Sequence, residues 1–352
     1  MAPVSSSDPA LVFAVAVTVG ALASALLLLA SIVALRGWRR WNRARLAHCL
    51  GPWRAALHEA TEDPRVARLP PITARDLPEF TILWNHFQES LRGDAAENLA
   101  VLLRAHAIPE RLLAMLDRRA LRLRLVAIIA LGHLREERAW ARLEFLAREP
   151  GPVISFAAAR ALLRIEPRRA LEVLSDTIVG RDDWPLARLG TIFQELGPTL
   201  VTPAIVNMLG GRSPRGLTRA IKLSRFAHRT RVAGALRALL SSSADTEVLV
   251  AVLDVVEDAV DLPWVRGAAK HSEWPVRMAS ARALGRVGER RELGLLLELL
   301  GDRAWWVRYH AGRAITHLHG LEAADLESLR EQAPDAFARD MLAQAIAERA
   351  RA

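Results

Sequence analysis

Cysteine occurs once, at Cys49, in 352 residues. That excludes a disulfide within the chain and a cysteine-rich metal site, and it fits a reducing compartment. Lysine is almost as scarce: Lys222 and Lys270 stand alone among 48 basic residues, so arginine carries nearly all the positive charge. GC-rich bacterial coding produces such an Arg and Ala bias, and a protein that grips phosphate with arginine's planar fork would share it. Tyr309 is the single tyrosine, and aromatics are only 5% of the chain, yet 10 of them are tryptophan. No P-loop, dinucleotide-binding glycine pattern, zinc motif or nucleophile elbow occurs, which removes the motif-based routes to nucleotide, metal and acyl-transfer chemistry.

The net charge of +9 raises nucleic acid as a partner, but its placement argues against one. Arg36, Arg39, Arg40, Arg43 and Arg45 face only Asp8 in the first 45 residues, a net of +4. The remaining +5 is spread over the rest of the chain without a long basic run.

From Leu11 to Leu35 no residue is charged over 25 positions. A helix of that length spans about 37 Å, against a hydrocarbon core of about 30 Å. The run is too long for a signal-peptide core, no Arg or Lys precedes it, and arginines follow it directly, so an uncleaved anchor is expected. The same asymmetry places the C-terminal side in the cytoplasm and the N-terminus outside, as a single-pass protein of a bacterial inner membrane. Trp38 and Trp41 sit among the arginines at headgroup depth, and Arg36, Arg39, Arg40, Arg43 and Arg45 are candidates to hold anionic lipid headgroups. Ala16, Gly20 and Ser24 form a small-residue stripe suited to helix packing.

Residues 42–60 continue as a helix with Leu46, Leu50, Trp53 and Leu57 on one stripe. Pro64, Pro70, Pro71 and Pro78 then interrupt regular helix across 61–79, a spacer. Phe80, Leu83, Trp84, Phe87 and Leu91 resume the helical period, and Gly93 ends it. The organisation expected is therefore a tail at 1–10, a transmembrane helix at 11–35, a basic juxtamembrane helix and Pro-rich spacer at 36–79, capping helices at 80–116, and a repeat array at 117–352.

The array shows itself as a recurring Val-Arg followed by Ala-Leu and Gly. Its clearest copies are Trp274-Pro275-Val276-Arg277 with Ala283-Leu284-Gly285, and Trp305-Trp306-Val307-Arg308 with Ala314-Ile315; Val276 and Val307 are 31 residues apart. Weaker copies fall at Leu123, Val153, Leu186, Leu217, Val248 and Ala338. Such a period means stacked helical hairpins, each unable to bury its apolar face alone. In the copy at 272–300, Ser272 is placed to cap, Pro275 suits a first turn, and Val276, Ser280, Ala283, Leu284 and Val287 share one face. Ala281 and Gly285 permit close approach, Gly288 breaks the helix, and Leu293, Leu296, Leu297 and Leu300 line its partner. Pro152 and Pro185 are expected to repeat the role of Pro275.

This pattern resembles the HEAT-like repeats of the phycobilisome-lyase type and the 31-residue units of artificial alphaRep binders, over about residues 117–352. The resemblance implies an all-α solenoid whose Val-Arg helices line a concave side, with outward positions that vary with the ligand. Carried onto this chain, those positions are Trp305, Trp306, Tyr309, His310, Arg313 and His317 in one copy. In the preceding copy they are Trp274, Met278, Arg282 and Arg286, and Trp184 with Arg188 fall in matching places earlier. Helical geometry independently sets 306, 309, 310, 313 and 317 on one face. Tryptophan and arginine together have the composition of a protein-binding hot spot, although the same Trp residues would also serve as packing between repeats.

Catalytic relatives of this repeat exist. Iron hydroxylases of the fold resemble one another in paired His-Glu dipeptides, but only His58-Glu59 occurs here, outside the array. Asp302 near Trp305 reads as a helix cap, and His317 with His319 lie on different faces of a helix. The expectation is a membrane-tethered adaptor for a membrane-associated protein partner, with no catalytic residue, cofactor, metal, nucleic acid or small-molecule substrate. A tethered HEAT-fold enzyme or nucleic-acid module, lyase- or glycosylase-like, is the alternative.

Overall fold

The computed structural model describes residues 9–211, 213–333 and 335–350, with the side chains of 9–12, 14, 38–44 and 46–48 outside the description. Among the described residues there are helices and no β-strand; one isolated bridge joins Glu289 to His319. The chain divides into two compact units between Ala139 and Trp140.

In the first unit α1 runs unbroken over Pro9–Glu62 and is followed by α2 (Leu77–Ser90), α3 (Asp94–Ala105), α4 (Ile108–Met115) and α5 (Leu121–His133). The stretch Val15–Gly37 of α1 has a mean hydropathy of 2.4, is not buried, and is long and apolar enough to cross a membrane. Its hydroxyls are satisfied locally: Ser24 donates to the Gly20 carbonyl at 2.8 Å and Ser31 to Leu27 at 2.7 Å, which is how polar side chains are tolerated in an apolar span. The last turns of the same helix behave differently. Trp53, Ala56, Leu57 and Ala60, spaced i, i+3, i+4 and i+7, are buried, with α3 and α2 as packing partners. Trp53 meets Phe80 edge to face at 5.6 Å. Leu46 and the residues Trp38, Arg39, Arg40, Trp41 and Arg43 have side chains outside the described ones; Arg36 is exposed.

The proline-rich segment is pinned to α1. Arg45 pairs with Asp76, whose other oxygen accepts from Thr73 Oγ1 at 2.6 Å. Trp84 is fully buried and donates to the Leu99 carbonyl, and Asn85 donates to Val126, tying α2 to α3 and α5.

The second unit contains α6 (Trp140–Ala147), α7 (Pro152–Ile165), α8 (Pro167–Gly180), α9 (Leu186–Leu196), α10 (Pro198–Leu209), α11 (Pro214–Leu223), α12 (Arg229–Ser242) and α13 (Thr246–Val255). It continues with α14 (Leu262–Ala268), α15 (Trp274–Val287), α16 (Leu293–Leu300), α17 (Trp305–His317), α18 (Ala323–Glu331) and α19 (Ala336–Arg349). All eight repeat positions read from the sequence fall on odd-numbered helices from α5 to α19, and the helices between them are the hairpin partners. Helices α11, α13, α15, α17 and α19 each pack on the next, which is the ladder of an α-solenoid. One continuous apolar core runs beneath them from Leu249 to Leu342.

The copy around α15 shows why this sequence stacks. Val276, Ser280, Ala283 and Leu284 are buried on one face. Ser280 donates to the Val265 carbonyl of α14 at 2.7 Å, satisfying the hydroxyl inside the core. A Cβ on Gly285 would sit 2.9 Å from the Ala314 Cα, so glycine is what lets α15 and α17 approach. Arg277 of the Val-Arg pair binds Asp302 with two bonds of 2.6 and 2.9 Å and donates to the carbonyls of His271 and Ser272. It thereby fastens two successive inter-repeat loops.

Several local expectations are corrected. Ser272 does not cap α15: the N-cap is Glu273, and Pro275 is the second helical residue. Pro152 opens α7, but Pro185 lies one residue before α9, as its N-cap. Asp302 precedes the N-cap Ala304 and accepts the Ala304 N–H at 2.8 Å while holding Arg277. In two of the earlier copies the register residue is not the buried one: Val153 is exposed beside buried Ile154, and Leu186 is half-buried near buried Leu189.

Candidate functional site

Arg282 and Arg286 of α15 come together with His310, Arg313 and His317 of α17. Trp305 and Trp306 open α17 with 43% and 51% of their surface exposed, and Trp274 opens α15 with 42% exposed. These fractions place them at the surface rather than in the seam between repeats. Trp305 stacks on Tyr309 one turn on, with centroids 5.3 Å apart and planes 7° from parallel. Trp306 meets Trp305 edge to face at 4.7 Å and lies over His310 at 6.4 Å. The ring cluster is therefore pre-ordered along a single helix face.

Basic side chains lie beside it. Arg313 sits over the Tyr309 ring at 5.8 Å and pairs with Glu348 of α19 at 3.6 Å; Tyr309 Oη donates to the same carboxylate at 3.2 Å. Arg282 pairs with Asp254 at the end of α13 at 2.6 Å. Arg286 donates to the Leu253 carbonyl at 2.6 Å and to Val256 at 3.4 Å, capping the C-terminal end of α13. His317 Nδ1 contacts the Arg313 carbonyl at 2.8 Å. Met278 is corrected: it is half-buried and packs against the apolar core instead of pointing outward. Burial, reinforced by Arg282 and Arg313, holds the His310 imidazole below the usual histidine range, so it is neutral at pH 7. Asp302 is held below the usual carboxylate range: burial pushes it up, and the bonds from Arg277 and the Ala304 N–H outweigh that.

A shallow cavity of about 220 Å³ opens between α15 and α17, floored by Gly285 and Ala314 and walled by Arg282, Arg286, His310, Arg313 and His317. The acidic partners Asp254 and Glu348 were missed by the sequence reading. They come from the flanking repeats, and only the pairing of α13 with α15 and of α17 with α19 brings them in. Trp184 is corrected: it is fully buried, donates to Ser155 Oγ at 3.1 Å and packs edge to face on Phe156. Arg188 on α9 is exposed. Among the described residues no three His, Cys, Asp or Glu side chains gather as a metal site, and His58-Glu59 lies on the exposed side of α1.

The sequence matches the HEAT repeat family over residues 233–316 and 262–348, which takes in both helices of the site. No curated protein matches it. Among solved structures it is similar to an engineered protein at 13% identity, covering 79% of this chain and 86% of that one with a TM-score of 0.32. Human deoxyhypusine hydroxylase in complex with glycerol is similar at 18% identity, over 78% of this chain and 98% of that one with a TM-score of 0.30. A second engineered protein is similar at 16% identity, over 74% and 96%, with a TM-score of 0.23.

Proposed function

We propose that this chain is a membrane-tethered HEAT-repeat adaptor, not an enzyme, that captures a membrane-associated protein on the cytoplasmic side of a bacterial inner membrane. The observation that carries the reading is the ring cluster of Trp305, Trp306 and Tyr309. Three large aromatic side chains are ordered on one face of a solenoid helix with two of them about half exposed. Ordered aromatics and arginines give affinity at low entropic cost, and a rigid ladder of helices is a scaffold for them. Tethering rests on the apolar stretch of α1. From Gly37 the same helix continues for about 12 Å, at 1.5 Å per residue, to Arg45, which pairs with Asp76, and then on to buried Trp53. A span in the bilayer would therefore join the packed part of the first unit through continuous helix.

Orientation follows from the arginines after the span and their absence before it. Reporter fusions after residue 60 and at the C-terminus are expected to be silent as alkaline phosphatase and active as a cytoplasmic reporter. Phosphatase activity at either point would reverse the topology. The adaptor reading is tested by a photo-crosslinking residue at position 274 in intact membranes. It should trap one discrete protein, and Trp306→Ala with Arg313→Ala should abolish the adduct without moving the melting midpoint. An undiminished adduct in the double variant, or a collapsed midpoint, would refute this face as the binding surface.

A further inference from the structure

The cavity between α15 and α17 is walled by five basic or potentially basic side chains, and no carboxylate lines it. Resting on the adaptor reading, we infer that this cavity receives a carboxylate from an acidic, apolar-flanked segment of the protein partner, with the Trp305–Trp306–Tyr309 shelf taking the flanking apolar side chain. Its size suits that occupant: about 220 Å³ holds several water molecules at about 30 Å³ each, enough for a carboxylate side chain.

The pairs at its margins say which anion fits. Arg282 and Arg313 already present their guanidinium groups to carboxylates, Asp254 and Glu348, at the two edges. Both pairs are partly exposed and so are easily exchanged. The two acids also repel a continuous run of phosphates along the groove, while a single carboxylate on the axis meets three arginines and no acid. Arg286 donates to the Leu253 and Val256 carbonyls and to no carboxylate. Asp254 and Glu348 thus act as internal competitors for the position the partner's carboxylate would take.

The full chain in neutral phosphatidylcholine nanodiscs supplies the test, with fluorescence anisotropy as the readout. The probes are a labelled peptide of Glu residues one helical turn apart among Leu and Phe, the same peptide with Gln for Glu, and an oligothymidylate. The Glu peptide should bind at least about tenfold tighter than the Gln peptide, the scale of one charge-assisted hydrogen bond. Arg282→Gln and Arg313→Gln should each weaken it about tenfold. Asp254→Asn and Glu348→Gln should tighten it several-fold, a gain that a misfolded variant cannot produce. Equal binding of the two peptides, or tightening by neither neutralised acid, would overturn the inference. If Trp306→Ala still abolishes the membrane adduct in that case, the adaptor reading survives without it. Tighter binding of oligothymidylate, lost in the same arginine variants, would overturn both readings in favour of nucleic acid.

Discussion

Helices α12 and α16 hold the same place in their hairpins and are packed in opposite ways. In α16, eight residues bury Leu296, Leu299 and Leu300 against α15 and α17. In α12, fourteen residues bury Val232 alone, although Leu236, Leu239 and Leu240 are available. A cavity of about 240 Å³ remains between α12 and α13, lined by Val232, Ala233, Leu236 and Leu240 with Val252 and Val255. The contrast shows that the repeat period fixes where helices fall and leaves open how tightly each hairpin closes. Closure follows the close approach of neighbours. Gly285 lets α17 settle on α15, and Arg277 fastens the loops around them, whereas α12 has Arg237 paired to Asp261 and stacked on exposed Trp264 at its margin.

The largest effect that would break this comparison is at Leu284. Its side chain is fully buried in the α15 core, and replacement by Ala should cost about 2–5 kcal/mol through lost transfer energy and the cavity left behind. Leu236→Ala in α12 should cost only about 1 kcal/mol, because a half-buried leucine has gained roughly half the transfer energy of a buried one. Hydrogen exchange should confine the loss at Leu284 to α13–α19. Equal losses at the two positions, or uniform loosening of both units, would show that packing density along the ladder does not govern local stability.

The ladder itself was legible from the sequence because the Val-Arg period counts residues per hairpin, and stacking makes that count independent of distant contacts. Burial was legible at Leu217, Val248, Val276, Val307 and Ala338, which are all buried on the register. At Val153 and Leu186 the buried positions move to Ile154 and Leu189. Trp184 shows the physical reason most clearly. It stands two residues before Leu186, as Trp274 stands before Val276, yet Pro275 is inside its helix and Pro185 is outside. Pro185 takes an extended backbone with ψ of 122°, so α9 starts late and the indole of Trp184 folds back onto α7 instead of projecting from a first turn. Helical geometry placed 306, 309, 310, 313 and 317 on one face correctly, since all lie on one helix. The acids that hold Arg282 and Arg313 belong to other helices and carry no local signal.

The smallest expected effect sharpens the comparison from the loose side. Ala233 lies on α12 and faces the cavity beneath it. Ala and Leu have similar helix propensities, so Ala233→Leu leaves the helix itself nearly unchanged and adds apolar volume to the space below. If α12 is loose because that space is unfilled, the variant should gain about 0.5–2 kcal/mol, and the amides of α12 and α13 should become better protected from exchange. A closed seam gives the opposite sign, because added methylenes there force neighbours off their rotamers. The close contact of Gly285 with Ala314 makes Gly285→Ala the matching control, expected to destabilise although it replaces glycine with the better helix former. Destabilisation by Ala233→Leu would mean that the space under α12 is already used by motion of its leucines, and that α12 and α16 differ in dynamics rather than in packing.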